Sequence, residues 1–215
     1  MENTHGSYSI EDYPEAVRII KINNIMARRL GDLLLHHHDV LFSLECLDKI
    51  KDISDDNNML NTVLWESAII HFIKCFGDNK SRFQLSFEKI NNKNNNDKKI
   101  FEYFKNLRNK HIIHDENAYS QYFIGAVINK PENINKIGEI VMSTLDIDSL
   151  STENIQNLNS LIVKVEKWLT EESGKIIGLI KKDLDKECYE KLLHMETANI
   201  TVSDPDSLIY KREII

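Results

Sequence analysis

The chain has 215 residues, with 27 Lys and Arg against 34 Asp and Glu, for a formal net charge of −7. Only 7 Gly and 3 Pro occur, too few to punctuate the turns of a many-stranded sandwich or barrel, so a mainly α protein is expected. The acidic balance excludes indiscriminate binding to nucleic acid or membrane through a general positive coat, and leaves room for a local basic site.

Cys46, Cys75 and Cys188 are far apart, odd in number and without ligand spacing. A disulfide framework and a zinc ribbon are therefore not expected, and a reducing cytoplasm is. The N-terminal MENTHGSYSIEDYPEA has no cationic or apolar leader region, and no stretch approaches the ~18 apolar residues of a membrane span.

In chain order, Asp12, Pro14 and Glu15 resemble a helix start, with a capping carboxylate, a first-turn proline and a capping-box glutamate. Val17, Ile20, Met26, Leu30, Leu33, Leu34, Leu41, Leu44 and Leu47 then keep helical spacing, which predicts a helix over 12–51. Gly31 or the HHHD stretch offers a place to split it. After a polar loop, Leu60, Leu64, Ala68, Phe72 and Phe76 form an i, i+4 row over 59–76, closed by Gly77. The NNKNNND run before residue 98 favours turns over helix, so a mobile loop is expected on at least the second half of 78–97.

A third helix is predicted over 97–114, with Ile100, Phe101, Phe104, Leu107 and His111 on one stripe. The period then changes. Tyr122, Ile124, Ala126 and Ile128 alternate, Pro131 sits in a turn, and Ile140, Met142, Leu145 and Ile147 follow, which suits a small β-hairpin insertion at 120–147, with a short helix as the alternative for its first arm. Ser151 caps a long helix to about 194, with Leu158, Leu161, Val165, Trp168, Ile176, Ile180 and Leu184 as its row and a weak point at Gly174 and Gly178. Residues 196–215 read as an irregular tail or an added edge strand. Trp65 and Trp168 read as core. No repeat or linker divides the chain, so a single domain over 1–215 is expected.

Chemistry crowds into one segment, LRNKHIIHDE, Leu107 to Glu116. It holds the guanidinium of Arg108, the amide of Asn109, the imidazoles of His111 and His114 and the carboxylate of Asp115. On a straight α-helix Arg108 and His114 lie ~9 Å apart along the axis and ~120° apart around it. One helix does not close both on a reacting atom, whereas two packed copies do, so a catalytic pair is geometrically simpler in a dimer. The negative end of the helix dipole would favour the imidazolium of a last-turn histidine.

The segment RNKHIIH resembles the R-x(4–6)-H motif of the HEPN superfamily, with a spacing of five and a polar Asn directly after the Arg. The upstream WESAIIHFIKCFG is similar to a core helix of its abortive-infection branch. The resemblance covers roughly residues 59–116 and, by architecture only, the flanking long helices. It implies an up-and-down helical bundle, a homodimer with the active cleft at its interface, and metal-independent RNA cleavage without cofactor. His114 would be general acid or base at the ribose 2′-hydroxyl and leaving oxygen, and Arg108 would hold and stabilise the scissile phosphate. Asn109 would orient one of these groups, and His111 would be a supporting contact. The resemblance implies a toxin or abortive-infection ribonuclease with an antitoxin partner. The alternative is a non-catalytic HEPN-like module that binds nucleotide, RNA or protein.

Plainer readings stand beside these. Arg108 pairs with Asp115, His114 caps a helix end, and His111 sits on the apolar stripe as a packed histidine. His36, His37 and His38 point about 100° apart on a helix and do not chelate one metal, which leaves a solvated or helix-breaking triplet. His111, His114 and Asp115 offer three metal ligands at i, i+3 and i+4, with no fourth ligand or known motif, and no Gly-rich phosphate loop exists.

Residues 80–110 carry nine Lys and Arg against Glu88, Asp97 and Glu102, a local charge of +6, so the other 184 residues total −13. This basic strip ends at the motif, with Lys98, Lys99, Lys105 and Lys110 as candidate RNA contacts, or it is an ordinary solvated face.

Overall fold

Asn24, well past the proline signal, starts the first helix. Its Oδ1 accepts the Ala27 N–H at 2.8 Å and its carbonyl accepts the Arg28 N–H at 3.0 Å, as a polar N-cap does. The computed structural model describes residues 13, 15–52, 58–78, 81–91, 94–114, 119–146, 148–198 and 206. Among them run α1 (Ile25–Asp52), α2 (Asn58–Lys74), α3 (Phe87–Ile90), α4 (Asn95–Leu107), a π-helical turn (Arg108–Ile112), β1 (Ser120–Ile128), β2 (Ile137–Asp146), α5 (Thr152–Leu184) and α6 (Tyr189–His194). The protein is mainly helical, as expected. None of the described helices is long and apolar enough to cross a membrane.

The chain divides into two units, one of Met1–His38, Asp78–Gln84 and Lys167–Ile215, the other of Asp39–Gly77 and Leu85–Glu166. In the first, the residues expected to begin α1 are extended instead. Lys21 N–H donates to the Glu196 carbonyl at 2.7 Å and Ala198 N–H to the Ile19 carbonyl at 3.0 Å, around an antiparallel bridge between Ile20 and Thr197. Their backbone groups are satisfied across the chain, which removes the need for helical bonding along it. Arg18 fastens the pair by donating to the carbonyls of Leu193 and Met195. At the start of the tail, read as irregular or as an added edge strand, there is a single isolated bridge at Thr197; beyond residue 198, all but Asp206 lie outside the described residues, as do Asp12 and Pro14.

A short segment at 81–84 is strapped to α1 within the same unit. Phe83 N–H donates to Asp32 Oδ2 at 3.2 Å, and His36 Nε2–H donates to the Phe83 carbonyl at 2.8 Å. The Arg29 guanidinium lies 3.1 Å from the Phe83 ring centroid, a cation–π contact. Burial lowers the Arg29 pKa, opposed by the Glu172 and Asp32 carboxylates. The histidine triplet is therefore neither a break nor wholly solvated: α1 passes through it and His36 is buried. The helix also passes through Gly31 unbroken, and α5 passes through Gly174 and Gly178, whose missing Cβ atoms would meet open space. α5 ends at Leu184, and residues 189–194 form a separate helix rather than its continuation.

The second unit holds the aromatic core. Phe87 and Phe101 stack at 4.2 Å, Phe76 meets Phe101 edge-on at 4.8 Å, and Trp65 meets Phe104 at 5.9 Å. Trp65 Nε1–H donates to Ser149 Oγ at 2.9 Å, satisfying its polar end. The buried row of α1 is Leu33, His36, Val40, Ser43, Leu47 and Ile50. Leu34, Leu41 and Val17, expected on that stripe, are exposed. The polar members have partners, Ser43 donating to the Asp39 carbonyl at 2.9 Å. On α5, Leu169 is buried while Trp168 is half-exposed, which corrects its assignment to the core. Ser151 caps α5 as expected, its Oγ accepting the Asn154 N–H at 3.2 Å.

The asparagine run begins α4 where a loop was expected. Asn94 Oδ1 accepts the N–H of Asn96 at 3.0 Å and of Asp97 at 3.4 Å, so the competition of asparagine with the backbone serves a cap. Asn92 and Lys93 lie outside the described residues. Lys164 of α5 pairs with the Asp97 carboxylate and donates to Asn91 Oδ1 at 3.4 Å. After α4, β1 and β2 form the expected antiparallel hairpin, from Ser120 opposite Asp146 to Ile128 opposite Ile137, with a bulge next to Val127. Asn129 closes the turn, its N–H donating to the Lys136 carbonyl at 2.9 Å and its Nδ2 to the Asn135 carbonyl at 2.8 Å.

Candidate functional site

α4 buries Phe101, Phe104 and Leu107 along one face and then widens into the π turn RNKHI. The Ile113 N–H bonds the Arg108 carbonyl at 3.1 Å, an i to i+5 closure. Single π turns of this kind occur frequently at functional sites. The straight α-helical relation between Arg108 and His114 is thus replaced. The helix ends before His114, which is exposed beyond the turn.

Arg108 is half-buried. Its Nη1 donates to Asn109 Oδ1 at 2.7 Å, while its buried Nε has no hydrogen-bond partner among the described residues. His111 is also half-buried, with a buried Nδ1 that has no partner among the described residues and a T-shaped ring contact with Tyr119 at 5.4 Å. The structure thus joins Arg108 to Asn109 and packs His111 against an aromatic ring. Among the described residues no hydrogen bond or ring contact joins His114 to either. Asp115, the alternative partner of Arg108 and the third metal-ligand candidate, lies outside the described residues. Among those described, no three His, Cys, Asp or Glu side chains are grouped to hold a metal ion.

The lysines of the basic strip separate into two kinds. Lys98 pairs with Glu88 at 2.7 Å and Lys105 with Glu102 at 3.6 Å. The hydrogen bond and charge of Lys98 lower the Glu88 pKa, and Glu88 raises that of Lys98 in return. Lys99 and Lys110 are exposed and form no ion pair among the described residues. Lys80 and Lys93 lie outside them.

Two groupings had no sequence signal. Asn154 Nδ2 donates to Tyr103 Oη at 3.3 Å from 51 positions away, and Tyr103 also shares a hydrogen bond with Tyr119. Burial first, then the Tyr119 hydrogen bond, push the Tyr103 phenol up to about 12. Hydrogen bonds therefore lead from Asn154 through Tyr103 to Tyr119, whose ring contacts His111. Elsewhere in the unit, buried Asp39 accepts from His71 Nδ1 at 2.8 Å and from Lys74 Nζ at 3.0 Å. That carboxylate fixes the orientation of the imidazole through its Nδ1–H.

An arginine with an unused N–H and an imidazole with an unpartnered nitrogen, set within one wide turn, form an arrangement able to hold an anion and exchange a proton. No protein-family model matches the chain, and no curated protein or solved structure is similar to it at a significant level.

Proposed function

We propose that the chain is a metal-independent endoribonuclease of the HEPN type, acting in a toxin or abortive-infection system. The observation that supports this reading is the π turn, in which the Arg108 Nε is buried and has no partner among the described residues, beside the motif's other polar groups. Such a donor costs about 1–3 kcal/mol when unsatisfied, and a phosphate oxygen is a partner that recovers this while using the cation.

In this reading Arg108, steadied by Asn109, holds the scissile phosphate and stabilises its growing charge. His114 takes the proton of the ribose 2′-hydroxyl, the 2′-oxygen attacks the adjacent phosphorus, and the P–O5′ bond breaks as the imidazolium returns that proton to the leaving 5′-oxygen, giving a 2′,3′-cyclic phosphate. Two copies facing each other across the turn complete the cleft, Lys99 and Lys110 contact the RNA backbone, and an antitoxin silences the site. DNA, lacking the 2′-hydroxyl, is refractory. That no hydrogen bond or ring contact joins His114 to Arg108 among the described residues favours a second reading, a binding module that docks RNA or nucleotide without cleaving it.

The test is incubation of wild-type and His114→Ala protein with total RNA and tRNA in EDTA, followed by analysis of product ends. Cyclic phosphate ends are expected, with the rate lowered about 10²- to 10⁴-fold in the variant. Unchanged cleavage in the variant rejects the assignment, and loss of cleavage in EDTA alone points to a metal. RNA retained without cleavage supports the second reading.

A further inference from the structure

On α2, Asn61, Trp65, Phe72 and Phe76 follow one another at intervals of four, seven and four, which puts them on one face. On α4 and its π turn, Phe101, Phe104, Arg108 and His111 follow at three, four and three. The two faces meet in reverse order. Phe76 packs on Phe101 at 4.8 Å and Trp65 on Phe104 at 5.9 Å, and α2 also packs against the turn. Four residues forward from Phe104 is Arg108, and four back from Trp65 is Asn61, each a step of ~6 Å along its helix. Asn61 thus stands level with Arg108. Beyond the aromatic pairs the facing rows carry polar atoms instead: Asn61 Oδ1, Arg108 Nε and His111 Nδ1 are buried and have no hydrogen-bond partner among the described residues.

We infer that Asn61 reads the base of the nucleotide held at this turn, and that the base is adenine. A buried acceptor without a donor is costly, and the Arg108 guanidinium beside it suits an anionic oxygen. An occupant that satisfies both carries a phosphate and an N–H group, as a nucleotide does. A carboxamide sets an acceptor next to a donor, the complement of the N6–H and N7 edge of adenine, and in single-stranded RNA that edge is open to a side chain. Cytosine offers a like pair of groups on a smaller ring. The T-shaped pair of His111 and Tyr119 beside the turn favours the larger purine, since unpaired bases stack on His and Tyr rings. Asn61 Oδ1 then accepts from the adenine N6–H and Nδ2 donates to N7, while Arg108 holds the adjoining phosphate. This role rests on the reading of the turn as an RNA site.

The probes are 2′-O-methyl oligonucleotides, which no 2′-oxygen attack can cut, titrated against the full chain in EDTA by fluorescence anisotropy. The adenine oligomer is expected to bind on the order of tenfold more tightly than an inosine oligomer, in which a carbonyl replaces the 6-amino group, and more tightly than the cytosine oligomer. Asn61→Leu should abolish this preference and leave binding of the inosine oligomer unchanged. It should unfold in urea at the wild-type midpoint or above, because a buried unsatisfied oxygen is removed. The exchange of adenine for inosine acts on the ligand, so the preference is read in wild-type protein whatever the variant's stability. Equal binding of the adenine and inosine oligomers, tighter binding of the cytosine oligomer, or a preference that survives in Asn61→Leu overturns the role of Asn61 and leaves the RNA reading standing. Absence of binding to every oligomer overturns it too, and absence of RNA cleavage as well overturns the ribonuclease reading with it.

Discussion

α4 with its π turn and the hairpin β1–β2 are neighbours in the chain, and each carries a regular apolar period. They end in opposite environments. Phe101, Phe104 and Leu107 of α4 are buried, whereas Tyr122, Ile124 and Met142 of the hairpin are exposed. Period specifies backbone conformation and which side chains share a face. Burial requires a second surface, and the period does not supply one. Outside the buried row α4 carries Tyr103, whose phenol bonds Tyr119 beside His111. The hairpin presents apolar groups to solvent.

The sharpest way to break this contrast is to truncate both regions. Phe104→Ala should cost about 3–5 kcal/mol in urea unfolding, because the ring is fully buried between Trp65 and Tyr103. A loss under ~1 kcal/mol would place α4 on a surface instead.

The Tyr103 phenol supplies a pH test of the same region. Its folded pKa of about 12 lies above the ordinary value of ~10. Its contribution to stability is therefore complete below pH ~10 and is lost as pH rises toward 12. Phenolate absorbance compared with Tyr103→Phe should show this group titrating above the ordinary phenol range, and Tyr119→Phe should lower its pKa while burial keeps it above the ordinary value. Titration of Tyr103 with the exposed tyrosines would contradict the buried path to His111.

Smaller effects sharpen the comparison further. Asn94→Ala removes the cap of α4 and should lower stability by about 1 kcal/mol in thermal unfolding. Ile124→Ala, measured at a concentration where the chain is monomeric, should change stability by less than about 0.5 kcal/mol. A cost of several kcal/mol there would mean that the hairpin face is covered within one chain.

Much of this was legible before folding. The row from Leu60 to Phe76 marked α2, alternation from Tyr122 marked the hairpin, and Ser151 marked the start of α5. The crowding of Arg108, Asn109, His111 and His114 marked the candidate site. The start of α1 was misread because Ile20 is held by Thr197, 177 positions away, and nothing local announces that bridge. The asparagine run was misread because the same side-chain oxygen that favours a turn also caps a helix. Tyr103 and Tyr119 went unnoticed because their significance rests on Asn154 and on the His111 ring, contacts that no spacing rule reveals.

Helical class, the position of the two-residue period and the identity of the polar cluster follow from composition and spacing, since both act within a few residues along the chain. Folding alone decided that His36, Asp39 and Ser43 enter the interior while Leu34 and Leu41 stay outside, that α4 widens at Arg108, and that the hairpin keeps its apolar face bare. The reason is physical: burying a polar side chain is costly unless another group satisfies it, and for His36 and Asp39 those groups lie far along the chain, while an apolar side chain is buried where a distant surface covers it.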